Sequence, residues 1–278
     1  MKLGFFITAR LKSTRLKRKI LLDLNGKSIL DRIIERCKAT KGVDEVVLCT
    51  SSNPQDSELF DYALKHGIKF YHGSEEDVLK RLLEAAKYYG FDAFLSITAD
   101  NPLFSMYSSS LLVEAYKKSS FDFGFTLGLP VGLATSLIDR KALDVVVHMK
   151  KVSDTEIWGP FLNRSDFFHI FNLIITNHSM TEEKRLTVDY PEDYELLKKI
   201  YRNFDTDAIP SVKDVLSLLR EYPELWNVNM TRKQRWPSEE EIRTINTQFD
   251  EAVTSGKKYA SQIDKEFIPG STELKIEI

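Results

Sequence analysis

The chain has 278 residues, of which 42% are hydrophobic and 29% charged, and carries a net charge of −2 at neutral pH. That length and apolar share suit a globular protein with one sizeable core and a small appendage, and the near balance of charge excludes the basic coat of a nucleic-acid-binding domain. With no apolar run near the roughly 18 residues of a membrane span and no signal-peptide pattern in MKLGFFITAR, the expected location is cytoplasmic.

In chain order, Leu3–Thr8 is a short apolar run suited to a strand buried on both faces. A helix follows from Ser28, which caps it with Asp31 three places on, while Ile29, Ile33, Ile34 and Cys37 form one apolar stripe. Residues 45–50 read as the next strand. Asn53-Pro54 then opens a helix whose inward positions are Leu59, Phe60, Ala63 and Leu64, and His66-Gly67 stops it. Strand 68–71, helix 75–89, strand Ala93–Thr98, helix 107–117 and strand 121–126 complete a series of βα units, the mark of an α/β sandwich with a mostly parallel sheet. Beyond Leu127 the regularity falters and a mixed sheet is expected, with a helix capped by Asp139, strands at 167–175 and 186–188, and helices at YPEDYELLKKIYRNF and Val212–Glu221. After Trp226 the composition turns polar. Ser238 caps one more helix, to about Ala252, with Ile242, Ile245, Phe249 and Val253 as an apolar stripe that calls for packing, and a sparse tail follows. Cys37 and Cys49 sit in apolar periodic stretches without CxxC spacing and read as buried thiols.

The stretch ITARLKSTRLKRK, residues 7–19, concentrates six basic residues. It leaves the carboxyl end of the first strand, where open parallel sheets bind ligands. Outward backbone amides joined by Arg10, Lys12, Arg15 and Lys19 make a cationic concavity suited to a polyphosphate, with arginine as a planar fork and lysine as a mobile point charge. Charge alone leaves a solvated loop equally open, because neither GxxxxGK[ST] nor GxGxxG is present.

The order of residues narrows that choice. TARLKSTRLKRKILLDLNGKSILDRIIERC resembles the signature of the cytidylyltransferases that activate sugar acids, with Ala9, Arg10, Ser13, Thr14, Arg15, Leu16, Lys19, Leu21, Gly26, Lys27, Glu35 and Arg36 in register. The nearest resemblance is to the branch grouped with spore coat polysaccharide biosynthesis protein F and the CMP-3-deoxy-manno-octulosonate synthetases. Lys17-Arg18 stand where that family usually has Pro-Gly, and Thr8 replaces a Pro or Gln. HGSEEDVLKRLLEAAKYYGFDAFLSITADNPLF and RLTVDYPEDYELLKKIY extend the similarity, so that it covers residues 2–202.

The resemblance implies a Rossmann-like three-layer α/β sandwich with a mixed, mostly parallel sheet, the nucleotide-diphospho-sugar transferase fold. It implies a CTP:acceptor cytidylyltransferase dependent on Mg2+, in which Arg10, Arg15, Lys19 and Asp100 are catalytic and Asp100 and Asp189 hold the metal. Nucleotide binding falls to Ala9, Arg10, Ser13, Thr14, Arg15, Lys19, Ser74 and Arg81, with the base against residues 73–81. From the residues alone Asp100 also reads as a turn residue before Pro102, Asp189 as a helix N-cap, and Asp77 with Arg81 as a helix-surface ion pair. The five histidines show no zinc spacing.

A small sugar-acid-like acceptor is the expected second substrate, from cell-surface polysaccharide biosynthesis, with no nucleic-acid partner. The acceptor motif departs from the branch, however: two acidic positions are replaced by Ala134 and Ser136, and Ile157-Trp158 stand in for His-Val. A phosphorylated or phosphonate acceptor therefore stays open, as does an idle nucleotide-binding scaffold. Arg164, His148 and Lys151 could bind an acceptor anion, but each reads better as a solvated helix-surface position. Residues 1–222 are expected as the cytidylyltransferase domain and 223–278 as a helical extension and tail outside the shared chemistry. The resemblance also implies a homodimer using parts of residues 126–173.

Overall fold

A computed structural model describes residues 1–176 and 184–277 of the chain. Strand β1 (Leu3–Thr8) is buried on both faces because its side chains alternate between two cores. Phe5 and Ile7 enter a layer with Ile29, Ile33 and Ile34, whereas Phe6 stacks on Phe94 at 4.2 Å and lies edge-on to Phe91 in the opposite layer. Helix α1 (Ile29–Ala39) starts at Ser28 with the expected capping box. Strand β2 (Glu45–Ser51), helix α2 (Leu59–His66), β3 (Lys69–Gly73), α3 (Val78–Tyr89), β4 (Ala93–Thr98), α4 (Met106–Lys118) and β5 (Phe123–Leu127) follow as βα units. Helix α3 begins later than its apolar pattern suggested. Asp77 caps it by accepting the Lys80 amide at 3.0 Å, leaving Glu75 and Glu76 in the segment before it.

The second half departs more. Strand β6 (Ser136–Asp139), hidden in a turn-rich stretch, inserts antiparallel between β4 and β5 and runs directly into α5 (Arg140–Met149), which Asp139 caps as expected. After α6 (Gly159–Leu162), strand β7 (His169–Thr176) pairs parallel with β5. The expected strand at 186–188 does not form. Leu186 and Val188 are fully buried, but the backbone there makes one isolated bridge, Val131 to Arg185, and Val188 donates to the Asp100 carbonyl at 2.9 Å. Helices α7 (Pro191–Tyr201) and α8 (Val212–Glu221) lead to the C-terminal extension.

That extension is more ordered than its composition suggested. Helix α9 (Glu239–Gln262) runs well past Ala252, and the stretch read as a sparse tail contains β8 (Gly270–Glu277), parallel to β7. The strand order is β3-β2-β1-β4-β6-β5-β7-β8, so the three-layer, mostly parallel sandwich is present with β6 as its antiparallel member. The α9 stripe packs on its own core. Phe249 lies 5.1 Å from the Phe167 ring and 6.0 Å from Phe168, and Gly256 lets the helix approach Met149 of α5 where a side chain would collide. Ile245 and Val253 join the same cluster, with Ile242 at its exposed end. Cys37 and Cys49 are buried and unpaired, and burial holds the first thiol well above its usual range and pushes the second up to about 12. Among the described residues no helix is long and apolar enough to cross a membrane.

Candidate active site

The carboxyl ends of β1 and β4 open into a cleft of about 1510 Å³, roughly half again the upper size usual for a single small-molecule site. The basic loop lies along it. Arg10, Lys12, Ser13, Thr14, Arg15 and Lys19 line the cleft, whereas Lys17 and Arg18 do not. Arg18 takes left-handed backbone angles (φ 51°, ψ 33°) at the position where the resembled family usually has glycine, and its guanidinium is held by Glu58 at 2.8 Å. The loop thus keeps a glycine-like turn at a cost of about 1 kcal/mol, and the extra cation points away from the cleft.

Two aspartates from distant parts of the chain meet beside Lys19. Asp100 leaves the end of β4, where the Thr98 hydroxyl donates to its Oδ1 at 2.6 Å. Asp189 follows Val188, whose amide is bonded to the Asp100 backbone, so one main-chain hydrogen bond joins the two segments. Lys19 Nζ lies 2.7 Å from Asp100 Oδ2 and 3.0 Å from Asp189 Oδ1. Burial alone would depress the lysine, but the two carboxylates outweigh it and hold its pKa above the ordinary value. Burial likewise disfavours the Asp189 charge, and Lys19 and Arg15 overcome it, keeping that carboxyl below the usual range. Arg15 donates to Asp189 Oδ1 at 2.9 Å and lies 4.9 Å over the Tyr190 ring.

A buried network aims Asp189. The fully buried Asp193 accepts the backbone amides of Asp189 and Tyr190, each at 3.0 Å, and Arg185 bridges Asp193 and Asp189 at 3.1 Å to both. Asn229, in the extension, donates to Asp193 at 2.8 Å and to the Arg185 carbonyl at 3.1 Å, while Arg185 donates to Gln234. Asp189 is therefore not the N-cap of α7. Arg185 and Asp193 were in view within RLTVDYPED, but nothing in the sequence pointed to Asn229, because its partners are long-range.

The remaining expected nucleotide residues separate into two sets. Arg10 faces the cleft, donating to the Glu75 carbonyl at 3.0 Å and pairing with Glu156. Ala9, Ser74 and Arg81 do not line it. The Ala9 amide bonds to Cys49, and the Ser74 hydroxyl accepts the Asp77 amide at 3.1 Å. Arg81 is fully buried and supports the Ser74 carbonyl at 2.7 Å from below. Its ion pair with Asp77 is absent, since Asp77 is engaged by Lys150 and Thr155. Residues 73–81 are thus anchored through backbone carbonyls by two arginines, one on each side. Of the acceptor candidates, Arg164 is paired with Asp166 and Asp250, Lys151 with Glu251, and His148 stacks on Tyr259. The cleft is also lined by residues 126–132 and Ala134, by Trp158 and Phe161, and by Gln234, Arg235, Trp236, Glu240, Thr244 and Ile245 of the extension.

Residues 5–215 match the cytidylyltransferase family. The chain belongs to that family. Cytidylyltransferases are nucleotidyltransferases, so the chain is an enzyme of that class. It is 25% identical to spore coat polysaccharide biosynthesis protein SpsF of Bacillus subtilis over 79% of this chain and 95% of that protein. It is 29% identical to 3-deoxy-manno-octulosonate cytidylyltransferase of Koribacter versatilis over 45% of this chain and 47% of that one. Among solved structures, a cytidylyltransferase from Leptospira borgpetersenii superposes with a TM-score of 0.74 at 26% identity, covering 85% of this chain and all of the other. The matched region contains the basic loop and both aspartates; Asn229 and the segment from Gln234 to Ile245 lie beyond it.

Proposed function

We propose that this cytidylyltransferase uses Mg2+ and CTP to activate a sugar acid, whose hydroxyl attacks the α-phosphorus in line and displaces pyrophosphate. The observation that carries the reading is the convergence of Asp100 and Asp189 on the Lys19 ammonium, with Arg10 and Arg15 lining the same cleft. Two carboxylates within reach of one point charge fit magnesium, which takes one or two carboxylates and fills its octahedron with phosphate oxygens and water. When bound, the metal would supply positive charge to the phosphate oxygens. Lys19 is a mobile point charge that the triphosphate draws from the aspartates towards the leaving group. Arg15 and Arg10 offer planar forks to the β- and γ-phosphates and so stabilise charge as it passes onto pyrophosphate. Glu76 and Val78 bring the anchored segment to the cleft as a wall for a pyrimidine.

The acceptor class follows the names of the relatives, in polysaccharide biosynthesis and in cytidylyl transfer to 3-deoxy-manno-octulosonate. Incubation with each nucleoside triphosphate, magnesium and a panel of sugar acids tests it. Pyrophosphate release is expected with CTP and at least one sugar acid, and release with another nucleotide in preference to CTP overturns it. A homodimer through parts of residues 126–173 belongs to the same reading, and light scattering that finds a monomer at micromolar concentration removes it.

A further inference from the structure

The cleft is larger than one nucleotide needs, and the segments that line it differ in chemistry. The basic loop and the two aspartates bring the charges described above. The segment beyond the family match brings Gln234, Trp236, Glu240 and Thr244. Trp236 is the centre of that segment. It lines the cleft with 68% of its surface exposed and has no ring partner among the described residues.

Its exposure is combined with fixed anchorage on both sides. Two residues before it, Gln234 accepts from the buried Arg185 that also holds Asp189. Pro237 follows, and then Ser238, which starts α9 through a reciprocal capping box with Glu241 at 2.7 and 3.1 Å. The helix is in turn pinned by Phe249. The indole is therefore presented from a short strap tied at both ends, which reduces the ordering cost of binding against it.

We propose that the strap from Gln234 to Ile245 is the acceptor-recognition wall of this enzyme, and that Trp236 stacks on the apolar face of a polyhydroxylated ring. A sugar ring has a face of C–H groups that an aromatic surface covers, and rim hydroxyls that amide, carboxylate and hydroxyl side chains satisfy. Gln234, Glu240 and Thr244 line the cleft around the indole with that chemistry. The proposal rests on the cytidylyltransferase reading and adds to it: the acceptor is chosen by residues beyond 5–215, the stretch that matches the family.

The test compares the wild-type protein with Trp236→Ala and Trp236→Phe. Calorimetry measures Mg2+–CTP affinity, and pyrophosphate release measures kcat and KM over a panel of sugar acids, neutral hexoses and acyclic polyols. Trp236→Ala is expected to bind CTP within about twofold of wild type, while its kcat/KM for the ring acceptor falls at least about tenfold, chiefly through KM, and Trp236→Phe recovers most of the loss. An unchanged acceptor kcat/KM overturns the proposal, as does an equal loss of CTP affinity or a wild-type preference for acyclic polyols. Failure of the wild type to bind CTP overturns the nucleotide reading itself, and the acceptor wall falls with it.

Discussion

The two sides of the cleft are built on different principles. On the nucleotide side, charges from the first strand's loop, the end of β4 and the segment before α7 neutralise one another across the chain, with Lys19 between two aspartates and Arg15 and Arg185 on Asp189. On the side proposed for the acceptor, Trp236 stands among Gln234, Arg235, Glu240 and Thr244, and the support comes from apolar packing of α9. Displacing pyrophosphate needs a fixed electrostatic frame, whereas choice of acceptor needs only a wall that shape and stacking can alter. The two sides meet at Arg185, which touches Asp189 and Gln234 at once.

The comparison is broken most strongly at Asp100. Asp100→Asn keeps the size and loses the charge, so turnover should fall by about a thousandfold with an unchanged far-ultraviolet spectrum; near-normal pyrophosphate release would reject its role. On the other side, Phe249→Ala removes the ring set among Phe167, Phe168 and the Arg164 guanidinium, 4.5 Å from its centroid. It should cost about 3–5 kcal/mol and lower the melting temperature by at least about 6 °C, with CTP selectivity retained. Calorimetric scanning that shows no shift would mean that α9 is not docked. Within the basic loop, Arg15→Ala and Lys19→Ala should each raise the CTP requirement at least about tenfold, and Lys12→Ala much less, because Lys12 is exposed and held only by Glu75 at 3.3 Å. Equal small effects would return the loop to a solvated surface.

Asn229→Ala probes the junction. It leaves buried oxygens of Asp193 and Arg185 short of a donor, which should cost about 1–3 kcal/mol and weaken metal-dependent CTP binding more than metal-free binding; equal weakening would show that the network does not aim Asp189. The smallest effect is that of acid. The Asp189 pKa is lower in the folded chain than its ordinary 3.8, so its stabilising contribution is complete above that value and is lost as pH falls through the folded one. In urea unfolding, the stability gap between wild type and Asp189→Asn should stay level from neutral pH down to about 4 and narrow below it. A gap that widens with acid would contradict the ion pairing.

Local chemistry explains what the sequence made legible. Ser28 with Asp31, Asp139, and the apolar stripe of α1 act within a turn or two, so the elements from β1 to β5, and α5, could be read, although Phe60 and Leu64 of α2, read as inward, are exposed. β6 and β8 could not, because their strand state depends on β4, β5 and β7 arriving beside them from far along the chain. The run 186–188 had the opposite fault: it is apolar and buried, yet its amides serve loops that lock Asp100 to Asp189. For the site, the basic loop was readable as an anion cradle, but the meeting of the two aspartates rested on the resemblance and on their placement after two expected strands, of which 186–188 does not form. Trp236 carried no signal at all, since an exposed tryptophan in a polar stretch becomes meaningful only when a cleft is found beneath it.

The pairing of β7 with β8 bears on how the chain comes to be folded. Until Gly270–Glu277 is in place, β7 presents an open row of amides and carbonyls next to the apolar side chains of Ile170, Phe171 and Leu173. Such an edge invites pairing with another chain, and contacts so distant in sequence close late. Kinetic partitioning between self-completion and aggregation should therefore be decided at β8, and its Glu273, Lys275 and Glu277 are the gatekeepers that keep the finished edge soluble.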